Sequence, residues 1–96
     1  MDTYLIFRRN LCAPEDLPDI DRRSQAELDA RTDTVRKLRS YVFEEPNGDA
    51  GVICIYEAAS EDEVREHGAC ANVKISEIVQ ATAVDVHRTD PEGLIV

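Results

Sequence analysis

Near the middle of the chain, Val52-Ile-Cys-Ile-Tyr56 follows closely on Pro46-Asn47-Gly48-Asp49. Asn-Gly supplies the positive φ angles that a tight hairpin turn demands, so the apolar run is read as the return strand of a hairpin. That strand is apolar on both faces, and neither side of it can lie open to water. A chain carrying it must place it inside a sheet and cover the sheet.

The flanking segments supply the rest of that sheet and one cover. Before the turn, from Val35 to Glu45, the period is two: Leu38, Ser40 and Val42 alternate with Lys37, Arg39, Tyr41 and Phe43. Residues 3–9 are dense in β-branched and aromatic side chains and read as a further strand. Pro14-Glu-Asp-Leu-Pro18 reads as a helix entrance, because proline is harmless in a first turn and acids suit the positive dipole end. Leu17, Ile20, Ser24 and Leu28 then form a narrow stripe on a helix expected to run to about Arg31. Ser60-Glu-Asp-Glu63 is a capping box for a second helix from Glu61 to about Ala71, with Val64, Gly68 and Ala71 facing inward. A last strand is expected near Glu77–His87, alternating Ile78, Thr82, Val84 and Val86.

The order is therefore β-α-β-β-α-β. Two strand–helix–strand units joined by a hairpin give a four-stranded antiparallel sheet with both helices on one face, the ferredoxin-like α+β arrangement. The 96 residues suffice for one domain, expected over 1–88, with 89–96 as a tail whose last three residues are apolar enough to dock.

Composition limits function. Hydrophobic residues at 43% and charged residues at 32% fit a globular chain. A formal charge of −9 argues against nucleic acid and against an anionic membrane surface. No apolar run approaches the roughly 20 residues that span a bilayer. Met1-Asp2-Thr3-Tyr4-Leu5 lacks the basic start of a signal peptide, so the expected location is cytoplasmic. Cys12, Cys54 and Cys70 are odd in number and widely spaced, and are expected as free thiols.

Strand periodicity sorts the sheet faces. Leu38, Val42, Ile53 and Ile55 are expected to point to the helices. Tyr4, Ile6, Arg8, Arg39, Tyr41, Phe43, Cys54 and Tyr56 are expected on the opposite face. A bare face so rich in apolar groups calls for a cover, most simply a second copy in a symmetric dimer.

His67 leans towards the sheet beside the Val64/Gly68/Ala71 stripe, with Glu63 and Cys70 at i−4 and i+3 on the same flank. Glu, His and Cys on adjacent turns can give two or three ligands to nickel, zinc or a similar divalent transition metal, although a closed zinc site wants four. The plain alternative is a half-buried histidine hydrogen-bonded to a carboxylate. Cys54, mid-strand among isoleucines, reads first as packing; catalysis would require a cation such as Arg39 to lower its thiol pKa. Arg8 and Arg39 beside Tyr41 and Tyr56 form a candidate pocket for an anionic or aromatic ligand, or else pair with carboxylates of a second subunit. No nucleophile triad, phosphate-cradling glycine loop or nucleotide fingerprint is present, and no catalytic residue is assigned.

Leu5-Ile-Phe-Arg-Arg-Asn-Leu-Cys12, Val35-Arg-Lys-Leu-Arg-Ser-Tyr-Val42, Cys54-Ile-Tyr-Glu-Ala58 and Ser60-Glu-Asp-Glu-Val-Arg-Glu-His67 resemble a family of small bacterial ferredoxin-like domains named after an actinobacterial nickel-binding protein. The resemblance covers nearly the whole chain. It implies a ferredoxin-like dimer with a metal or ligand region between sheet and helices or at the subunit contact. It singles out Tyr41, Cys54, Tyr56, Glu57, Arg65 and His67. The chain departs from the family pattern at His67-Gly-Ala-Cys70, where an alanine-rich stretch is usual, and at Lys37, where tryptophan often stands.

Three readings follow. One is a cytoplasmic homodimer binding a divalent transition metal, possible ligands being His67, Cys54, Glu57, Glu63 and Cys70. Another is a small-molecule binder or cofactor-free enzyme whose pocket uses Arg8, Arg39, Tyr41 and Tyr56, with His67 as base. The third is a protein that acts through its dimer surface alone.

Overall fold

A computed structural model describes residues 1–90. Its strands are β1 (Asp2–Cys12), β2 (Val35–Glu44), β3 (Ala50–Ala58) and β4 (Glu77–Gln80). Its helices are α1 (Leu17–Asp29), entered through a short 3-10 turn at Pro14–Asp16, and α2 (Glu61–Ala71). The strands form one antiparallel sheet in the order β2-β3-β1-β4. This is the ferredoxin-like α+β fold. Residues 91–96, and with them most of the expected tail, lie outside the described residues.

The hairpin is built from a three-residue loop. The Gly48 amide donates to the Glu45 carbonyl at 2.9 Å, and the Glu45 amide donates to the Asp49 carbonyl at 2.8 Å. Only Gly48 takes a positive φ, +90°, while Asn47 does not. Pro46 presets a type I turn, which leaves the left-handed position to the glycine that follows it. The Asn47 side chain instead accepts from the Asp49 amide at 3.1 Å.

β3 lies between β1 and β2, as its double apolar face requires. The faces, however, differ from those expected for β1 and β3. Tyr4, Ile6, Arg8, Val52, Cys54 and Tyr56 are buried under the helices, whereas Ile53 and Ile55 face the other way. A strand apolar on both sides carries no parity signal of its own, so period two alone could not choose between its faces. In β2 the expectation holds for Val42 inward and for Arg39, Tyr41 and Phe43 outward. Leu38 is 48% exposed because the register shifts between Lys37 and Arg39. This bulge lets Val35 and Lys37 before it, and Ser40 and Val42 after it, share the helix side.

Both helices keep the stripes read from sequence. Ser24 and Leu28 of α1 are buried, as are Val64, Gly68 and Ala71 of α2, which His67 joins. The Ser60 hydroxyl accepts from the Glu63 amide at 3.3 Å and opens α2. Asn72, at φ +56°, closes it. The amides of Asn72 and Val73 return to the carbonyls of Ala69 and Gly68, a Schellman motif. The core joins Tyr4, Ile6, Val52 and Tyr56 of the sheet to Leu28 and Val64 of the helices. Each fully buried side chain of this size contributes about 1.5–3 kcal/mol.

β4 stops at Gln80 instead of running to His87, because its partner runs out: Gln80 pairs with Tyr4, and β1 begins at Asp2. The Ala81 amide still donates to the Thr3 carbonyl. Beyond it the chain passes from the β4 edge to the β2 edge, where Asp90 meets Arg39 and Tyr41 on the helix-free face. Leu5, Phe7, Phe43, Ile53 and Ile55 are half-buried on that face. Among the described residues no helix is long and apolar enough to cross a membrane.

Candidate functional site

A cavity of about 750 Å³ opens between the start of α1 and the hairpin half of the sheet. Small residues make the room. Ser24 interrupts the apolar stripe of α1, and Ser40 stands across from Cys54 on the sheet below. Leu17, Ile20, Val42, Val52 and Val73 supply apolar walls. The Ser40 hydroxyl donates to Cys54 Sγ at 3.2 Å, holding both groups in the floor. Asp21, Glu44 and Asp49 line the same cavity from its exposed side, with Lys37 reaching Asp21 at 3.2 Å.

Arg8 also lines this space while being only 2% exposed. Its Nη1 donates to the Lys74 carbonyl at 2.9 Å, and Nη2 has no acceptor among the described residues. The contrast with its neighbour is sharp. Arg9 makes a two-pronged ion pair with buried Glu45 at 2.7 and 2.9 Å, and the Asn10 amide donates to the same carboxylate. The Arg9 guanidinium, then the Asn10 amide, hold Glu45 well below the usual carboxylate range, at about 2.

His67 lies one layer behind the cavity. It is fully buried, and its Nε2 is 3.0 Å from the Ser24 carbonyl oxygen. A carbonyl only accepts, so Nε2 carries the proton and Nδ1 of the neutral ring holds a lone pair. That Nδ1 has no partner among the described residues, nor has the hydroxyl of Tyr56, whose ring meets His67 edge-on at 5.6 Å between centroids. Burial lowers the His67 pKa, and the Arg8 and Arg31 charges push the same way against the Ser24 carbonyl bond. The partner expected for a structural histidine was a carboxylate; the structure uses a backbone carbonyl.

The remaining candidates are dispersed. Arg39 and Tyr41 sit on the opposite sheet face with Asp90, so only Arg8 and Tyr56 of the expected pocket set are on the helix side. Glu57 points outward and pairs with Arg36 at 2.6 Å. The Glu63 amide donates to the Ser60 cap of α2, Cys70 is exposed, and Arg65 pairs with Glu61 at 2.9 Å. His87 is exposed beside Asp85. All three cysteines are free thiols, and burial together with Asp16, Asp49 and Glu15 raises the Cys12 pKa. Among the described residues no three His, Cys, Asp or Glu side chains come together as a metal site. One buried lone pair at His67 is a single ligand, so the groups of one described chain do not fit a resident metal.

Sequence reading missed Ser24 and Ser40 as site residues. Their signal was small polar residues at positions where each stripe otherwise carries large apolar ones.

A protein-family model described as nickel responsive protein SCO4226-like matches residues 4–81. The chain belongs to the SCO4226-like family. No curated protein matches it. The crystal structure of SCO4226 from Streptomyces coelicolor A3(2) is similar, with a TM-score of 0.65 and 17% identity over 86% of this chain and 99% of that one. This likeness shows that the SCO4226-like fold extends to the present chain. SnoaB, a cofactor-independent oxygenase from Streptomyces nogalater, has a TM-score of 0.49 at 15% identity, covering 93% of this chain and 100% of its own. TftG, a 5-chloro-2-hydroxyhydroquinone dehydrochlorinase from Burkholderia phenoliruptrix AC1100 in complex with 2,5-dihydroxybenzoquinone, gives 0.48 at 18% identity, covering 92% and 99%.

Proposed function

We propose that this protein is a cytoplasmic, homodimeric small-molecule-binding domain whose ligand enters the cavity between α1 and the sheet. The observation carrying this reading is the cavity itself: about 750 Å³, apolar-walled, with Arg8, Ser24, Ser40 and Cys54 in its lining. Ligand sites have this size and this mix of apolar wall with few polar groups. Binding is favoured over proton transfer because the His67 lone pair lies behind the Ser24 wall. The dimer is supported by the helix-free face, where Leu5, Phe7, Ile53 and Ile55 remain half-buried and need a fuller cover.

The test uses a neutral fluorescent probe, N-phenyl-1-naphthylamine. Saturable one-to-one enhancement is expected in the wild type and is expected to disappear in Ser40→Trp, which fills the cavity, with circular dichroism unchanged. No saturable binding, or equal binding by the filled variant, removes the proposal.

A second reading, binding of nickel or another divalent transition metal, is supported by the family description and by the unpartnered Nδ1 of His67. Further ligands would have to come from a second copy or from rearranged side chains. Calorimetry with nickel and zinc on tag-free protein tests it; heat that is absent, or unchanged in His67→Ala, rejects it.

A further inference from the structure

We infer that the cavity takes a ligand bearing one negative charge, of the carboxylate class, anchored on Arg8. This deepens the small-molecule reading above and rests on it. The starting point is a buried cation without a counter-charge. The chain holds 20 acidic residues against 11 lysines and arginines, and neighbouring Arg9 has its own carboxylate in Glu45. Arg8, 2% exposed, has only the Lys74 carbonyl and leaves Nη2 unsatisfied among the described residues. A buried charge lacking its partner is strongly unfavourable, and a position used for packing alone is served as well by methionine or leucine. The planar guanidinium presents N–H groups in the geometry a carboxylate accepts.

The Ser24 hydroxyl supplies a second donor. It lies 3.5 Å from His67 Nε2, which carries the imidazole proton because it faces the Ser24 carbonyl. The hydroxyl oxygen therefore accepts on that side, and its own proton is free to turn into the cavity it lines.

The remaining wall sets the rest of the ligand. Apolar side chains from α1, β2 and β3 require an apolar body, aromatic or branched. Asp21, Glu44 and Asp49 on the exposed side outnumber Lys37, which is already held by Asp21. A second negative charge on the ligand's outer end would lie among these acids, so dicarboxylates and phosphate monoesters are disfavoured.

Calorimetry with matched naphthalene probes separates the possibilities. At pH 7 the wild type is expected to bind 1-naphthoate at least about tenfold more tightly than 1-naphthamide, the gain of a charge-assisted bond. It is expected to bind 1-naphthyl phosphate more weakly than 1-naphthoate. In Arg8→Met the preference for acid over amide is expected to vanish while the amide still binds, and the unliganded thermal midpoint is expected to hold or rise. Arg8→Gln repeats the comparison if the methionine variant does not fold. Equal wild-type affinity for acid and amide, or a preference that survives both substitutions, overturns the anion assignment and leaves the cavity reading standing. Absence of binding by both naphthalene probes, together with a failed N-phenyl-1-naphthylamine titration, overturns both. Amide shifts induced by 1-naphthoate are expected at Ser40 and Cys54; shifts confined to Ile53 and Ile55 on the other face overturn the location.

Discussion

His67 and Glu45 give the molecule two separate responses to acid. The folded state lowers the His67 pKa, so it resists the proton that the unfolded chain accepts below about pH 6.5. Stability is therefore full above that pH and falls as the pH drops towards the folded value. For Glu45 the folded pKa is about 2 against an ordinary 4.5. Its contribution is present above about pH 4.5 and is lost as the pH falls towards 2. Thermal midpoints followed from pH 8 to pH 2 are expected to show two descents; His67→Gln is expected to remove the upper one and Glu45→Gln the lower. A single descent in the wild type would contradict the assignment. His67 was legible as an inward residue because it flanks the α2 stripe. Its carbonyl partner was not, because that bond joins residues 43 positions apart on two helices.

Elements were the most legible level, since each carries its own punctuation. The Pro-Asn-Gly turn, the Ser60 cap and the change from helical to strand period placed the hairpin and α2 where the structure has them. Facing was not legible in β1 and β3, because strands apolar on both faces offer period two without a sign, and the structure turns them opposite to the expectation. The candidate site suffered from the same fault. Arg8, Cys54 and Tyr56 do share one face, but it is the helix side, and Arg39 and Tyr41 lie across the sheet from them. Local punctuation can be tested by substitution. Gly48→Ala meets no atom within 4 Å of the new Cβ, so its effect is backbone strain alone. It is expected to lower stability by about 1–2 kcal/mol in urea unfolding. Ser60→Ala removes one hydrogen-bond acceptor at the α2 entrance and is expected to lower it by about 1 kcal/mol. A neutral result for Gly48→Ala would mean that the loop adopts another turn.

At the scale of the whole molecule, the two faces of the sheet have separate tasks. The helix side holds the core and the cavity; the other side carries Ile53, Ile55 and the contact of Asp90 with Arg39 and Tyr41. The proposed homodimer uses this second side, so Ile55→Asp is expected to sediment as a monomer while still binding N-phenyl-1-naphthylamine. A variant that stays dimeric would move the subunit contact elsewhere. This division depends on the β2 bulge, which behaves like a frameshift in the facing of side chains. Deleting Leu38 alone would leave Val35, Lys37, Ser40 and Val42 all facing the helices, because Lys37 pairs with Tyr56 and Arg39 with Ile55, and Leu38 is the extra residue between them. Within the family, a one-residue gap at this point would therefore leave cavity wall and outer surface unchanged, whereas an alignment that set the same gap a few residues away would give the residues between the two positions the wrong face.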